Sequence, residues 1–92
     1  MTKSLSKTYL NTTRKRCDAA TPGPWTSIIE GRDQALGGAS FIQRDKYGMS
    51  DLYLHGGTVE DQDFIAHARQ DIPLLLDEIE RLRKLLEDKN ES

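Results

Sequence analysis

At 92 residues the chain is the size of one small domain, whose core leaves a thin stability margin that association often supplements. Its 30% charged and 36% hydrophobic residues suit a soluble protein, and apolar runs such as Leu74-Leu75-Leu76 fall far short of a membrane span. A net charge of −2 and a pI of about 5.6 argue against general nucleic-acid binding.

The charge is uneven. Residues 1–20 carry a net +4, residues 21–60 a net −2 and residues 61–92 a net −4. Such a dipolar chain can attract an acidic partner at its basic start and a basic protein partner at its acidic end. Solvated helix faces are the plainer explanation of the same charges. The basic start lacks a hydrophobic segment and a small-residue cleavage site, so it does not read as a signal peptide. One cysteine, Cys17, excludes an intrachain disulfide, and a cytoplasmic location is the default expectation.

In chain order, Leu5, Tyr9, Thr13, Cys17 and Ala20 recur at helical spacing and predict a basic amphipathic helix over residues 1–20. Ser4 or Ser6 is its cap. Thr21 precedes Pro22 and is driven out of the helical region, so the helix stops there. Pro22 and Pro24 then stiffen the approach to the only tryptophan, Trp25, which we expect in the core, although tryptophan is also a frequent binding hot spot.

Residues 25–57 change pattern. "WTSIIEG", "ASFIQR" and "SDLYLHG" are short β-branched or aromatic segments, and Leu52 and Leu54 alternate with polar neighbours. They predict a three-stranded antiparallel meander, with turns at Gly37-Gly38 and Gly48 and an end at Gly56-Gly57. Thr58 and Asp61 have the spacing of a capping box and open a helical region over 58–88. Phe64 and Ile65 belong to its expected buried face. Asp71 and Pro73 suggest a break and a fresh helix start near residue 72, because proline is tolerated in a first turn. Residues 89–92 read as a frayed tail. The expected fold class is α+β: an N-terminal helix, the meander, and a broken C-terminal helix packed on the sheet.

Chemistry is sparse. Cys17, His55 and His67 lack the spacing of a zinc site, and no third group orients a Cys–His pair for nucleophilic catalysis. No metal, cofactor or catalytic residue is expected, and the chain reads as a non-enzymatic protein. The strongest pattern is Ile72, Leu75, Ile79, Leu82 and Leu86, a 3-4-3-4 apolar seam. It fits a helix covering the sheet, or a homodimer contact carried by Ile79, Leu82 and Leu86.

"RCDAATPGPW" followed by "DQDFIAHARQDIPLLLDEIERL" resembles small proteins of the Ead-like family from lambdoid phages and prophages. The resemblance covers Arg16–Trp25 and Asp61–Leu82, roughly a third of the chain. It implies an accessory protein of mobile elements in a bacterial host cell, and it carries over no catalytic residue. The functional expectation is a phage-type protein that occupies a macromolecular surface as an inhibitor, anti-defence or immunity protein. The alternative is a structural module that dimerises through its C-terminal helix.

Overall fold

The computed structural model describes residues 4–34 and 39–91. Its elements are α1 (Lys7–Ala19), β1 (Thr26–Ile28), β2 (Phe41–Gln43) and α2 (Val59–Glu91), an α+β architecture. The chain divides into two compact units. One joins the residues up to Ala20 to those from Asp71 onward; the other is Thr21–Gln70.

In the first unit, Ser6 caps α1: its Oγ accepts the Tyr9 amide at 3.0 Å. The helix ends at Ala19, one residue short of the Thr21-Pro22 barrier, and Ala20 is extended. α1 buries none of its residues fully. It lies beside residues 71–91 of α2 in antiparallel sense, because Arg14 pairs with Asp77 at 2.8 Å while Arg83 donates to the Leu5 carbonyl at 2.6 Å. Among the described residues of this unit, Leu76 is the buried apolar side chain.

In the second unit, β1 and β2 pair antiparallel, with Ser27 opposite Ile42. Both residues are buried, as are Ile29 and Ala66. The meander expected from sequence appears as two strands and one bridge: Leu52 exchanges two hydrogen bonds with Ile42, at 2.8 and 2.9 Å, and the pairing goes no further. In that register Arg44 falls opposite Ser50. The Arg44 side chain instead takes the Ser50 carbonyl through Nε at 2.7 Å, so a guanidinium stands where a ladder would continue. The turn expected at Gly37-Gly38 lies outside the described residues.

Thr58 and Asp61 form the reciprocal cap at the start of α2: the Asp61 amide donates to Thr58 Oγ1 at 3.0 Å, and the Thr58 amide to Asp61 Oδ2 at 3.1 Å. The break expected near residue 72 is absent. α2 runs unbroken through Pro73 to Glu91, so the stretch read as a frayed tail is helical at least to that residue. Proline there forgoes the amide bond to the Arg69 carbonyl, and the helix continues regardless.

The phase of α2 over the sheet also differs from expectation. Phe64 is 74% exposed and Ile65 36%, while Gln62 and Ala66 are buried in their place. The reason is polar. Gln62 Nε2 donates to Ser27 Oγ, to the Ile28 carbonyl and to the Phe41 carbonyl at 2.9–3.2 Å, and an amide so satisfied can be buried at little cost.

Candidate functional site

Trp25 is half-buried rather than enclosed. Its backbone is gripped by Gln70: the Trp25 amide donates to Gln70 Oε1 at 2.8 Å, and Gln70 Nε2 donates to the Trp25 carbonyl at 3.1 Å. The indole Nε1 donates to the Thr21 carbonyl at 3.1 Å, which also accepts Arg69 Nε at 2.8 Å. Arg44 lies over the ring, 5.5 Å from its centroid, and donates to Thr21 Oγ1 at 3.0 Å. Gly23 fits because it has no side chain: a Cβ there would stand 3.2 Å from Gln70 Oε1. The "TPGPW" segment is thus a structural joint held by the "RQ" of α2.

Arg32 makes a second tie. Its guanidinium donates to both Asp63 oxygens, at 2.8 and 3.0 Å, and through Nε to Asp33 Oδ2 at 2.9 Å. The Arg32 hydrogen bonds, with a smaller contribution from Ser27, hold the Asp63 carboxyl down at about 2, and Arg32 itself is shifted upward chiefly by Asp63. Asp33 is also lowered, first by Arg32 and then by the Ile29 amide that its Oδ2 accepts at 2.8 Å. These acids stay ionised at neutral pH, so the cluster suits anchoring rather than proton transfer.

Between β2 and Leu52 the chain makes a turn with its own internal brace. Asp45 Oδ1 accepts the Tyr47 amide at 2.8 Å and the Met49 amide at 3.2 Å; Oδ2 accepts the Ser50 hydroxyl at 2.6 Å. These bonds, led by Ser50, lower the Asp45 carboxyl. Gly48 adopts φ +71°, a left-handed conformation that glycine enters without a steric penalty. The braced turn holds Tyr47 74% and Met49 84% exposed. Nearby in sequence, Tyr53 is exposed, and its ring lies tilted against Phe41 with centroids 5.7 Å apart. Aromatic residues and methionine are the side chains enriched at protein interfaces.

The apolar seam of α2 lies in the first unit and is split between two surroundings. Ile79 is half-buried and, with Leu10 and Leu76, lines a groove of about 470 Å³ beside α1. Leu82 and Leu86 are exposed, as are Ile72, Leu74, Leu75 and Leu85. His55 and His67 are exposed, and Cys17 is half-buried. Among the described residues no three His, Cys, Asp or Glu side chains are grouped to hold a metal ion, and no helix is long and apolar enough to cross a membrane.

Sequence reasoning missed Gln62, Gln70, Arg44 and Asp45. Only Asp45 left a local signal, an acid two residues before an aromatic in a glycine turn. No family model matches the chain, and neither a curated protein nor a solved structure matches it.

Proposed function

We propose that this chain is a non-enzymatic binding protein that acts by occupying a protein surface, with the turn carrying Tyr47 and Met49 as its contact. The observation behind this reading is the brace at Asp45: three hydrogen bonds hold two large side chains out in solvent before any partner arrives. Ordering a contact loop in advance lowers the entropic cost of binding. The resemblance of the two flanking segments to Ead-like proteins favours an inhibitor or immunity-like role in the cytoplasm of a bacterial host. The net −3 of residues 21–70, the unit that carries the turn, suits a basic target.

A second reading has its own observation. The leucines of α2 outside the α1 groove stay exposed, which favours a homodimer formed through this helix, with Leu82 and Leu86 in the contact and Ile79 at its edge. The two readings coexist, one unit meeting the target and the other a second copy.

The experiment is affinity capture from host lysate with the wild type and with the Tyr47→Ala/Met49→Ala variant. A single stoichiometric protein lost in the variant, with unchanged thermal unfolding, supports the reading. If the variant retains that protein but Cys17→Ser/His55→Ala/His67→Ala abolishes the biological effect, the reading yields to a catalytic one.

A further inference from the structure

Leu74, Leu75, Leu82, Leu85 and Leu86 are each between 46% and 64% exposed. At about 100° per residue they form one face of α2, turned away from Leu76 in the α1 groove, with Ile79, which also lines that groove, at the border beside Leu86. The line of this face runs Asp71, Leu75, Glu78, Leu82, Leu85 and Lys89, at steps of 4-3-4-3-4, with Leu74 and Leu86 at its margins. This frame differs from the one through Ile72 and Ile79. α1 has taken the Ile79 side, which rotates the open seam toward Leu85.

Five half-exposed leucines offer on the order of 500 Å² of apolar surface, at the upper end of what a monomer usually leaves open. A specific interface needs about 800 Å² per partner, so the leucines and their polar margins supply a dimer-sized contact. We infer that a second copy of the chain covers this face with the two α2 helices antiparallel, Leu75 of one copy against Leu85 of the other. The inference rests on reading α2 as the dimer element and adds its direction and register.

Charge decides the direction. A parallel pair stacks Asp71 on Asp71 and Glu78 on Glu78 along the seam, setting like charges opposite each other beside leucines. An antiparallel pair with its two-fold near Glu80 sets Asp71 toward the Lys89 end and Glu78 against Leu82. There the Glu78 carboxylate keeps Arg81, which it already binds at 2.7 and 2.8 Å. Leucine then meets leucine at the 75–85 layers.

The test uses single-cysteine chains in a Cys17→Ser background, Leu75→Cys and Leu85→Cys, oxidised separately and as an equimolar mixture. A disulfide requires Cα atoms within about 7 Å. The expected result is a covalent dimer only in the mixture. A covalent dimer of either chain alone overturns the antiparallel arrangement, and a dimer with no cross-link in any sample overturns the register. A spin label at Asp88→Cys, outside the seam, checks direction without touching a leucine: helix rise puts the two sites about 24 Å apart in the antiparallel pair and about 10 Å apart in a parallel one. Sedimentation of the wild type at 100 µM separates the two levels. A monomer there removes the dimer itself, and a face covered only after target is added assigns it to the target.

Discussion

Gln70 closes on Trp25 like a strand partner, its side-chain amide both accepting from the Trp25 amide and donating to the Trp25 carbonyl. The two residues are 45 positions apart. The grip explains why a stiff "PGPW" and a helical "RQ" occur together: Arg69 holds the Thr21 carbonyl, Gln70 holds Trp25, and Gly23 leaves the space between them.

Gln70→Ala removes both hydrogen bonds and leaves a part-buried Trp25 amide without its acceptor. The expected loss is about 2–3 kcal/mol, read as a lower denaturation midpoint with unchanged slope. Gly23→Ala acts on the same contact, since its Cβ would press on Gln70 Oε1. The Gln70→Ala/Gly23→Ala pair should therefore lose less than the sum of the single losses. Strict additivity would mean that the two positions act independently.

Trp25→Ala is expected to cost about 2–3 kcal/mol, below the 3–5 of a fully buried aromatic, because the ring is half-buried. Tryptophan fluorescence of the wild type should accordingly show partial quenching by iodide. Complete protection would place the ring in the core as first expected from sequence.

Stability should fall at low pH through the Arg32 cluster. The folded Asp63 carboxyl is depressed to about 2 from an ordinary value of 3.8. A depressed acid contributes stability that is complete above its unfolded value and lost as pH drops through its folded one. The window is therefore roughly pH 4 down to pH 2, and Asp33 and Asp45, also lowered, add to it. Denaturant midpoints should be flat above about pH 5 and decline below it. Asp63→Asn should flatten the acid limb, and an unchanged limb would remove Asp63 from the account.

Asp45→Ala should loosen the turn without unfolding the sheet. Hydrogen exchange at the Tyr47 and Met49 amides, which donate to Asp45, is expected to speed up while that at Ile42 and Leu52 stays protected. Affinity for the proposed target should drop with the brace even though Tyr47 and Met49 remain. Unchanged affinity would show that the turn needs no preorganisation, or is not the contact.

What was legible in sequence had local causes. The Thr58–Asp61 cap, the end of α1 before Pro22, the start of α2 and a serine cap on α1 (Ser4 or Ser6 from sequence, Ser6 in the structure) each depend on residues within four positions, where spacing carries the signal. The α2 phase was not legible, because a Gln62 that satisfies acceptors on two strands outweighs the apolar pair Phe64-Ile65 for the buried place. The third strand failed for a similar reason: Arg44 spends its guanidinium on a carbonyl that the alternation of Leu52 and Leu54 would have assigned to a ladder. For the candidate site, Leu82 and Leu86 were visible by period, but which side of α2 remains open depends on where α1 lies.

Pro73 separates the sequence expectation from the structure most sharply. In a first turn, proline costs nothing, since the amide it lacks would have no helical partner. Inside a helix it removes a bond and crowds the preceding turn, at about 3 kcal/mol relative to alanine. α2 carries Pro73 well inside its span, with helix on both sides. Pro73→Ala restores an amide for the Arg69 carbonyl and should stabilise the protein. Part of the gain is offset by the freer unfolded chain, at about 0.4–1 kcal/mol, so a net rise of about 2 kcal/mol is expected. Thermal unfolding measures it. A melting temperature unchanged by the substitution would mean that a new helix begins at residue 72, whereas a rise of several degrees identifies one helix that tolerates a proline in its interior.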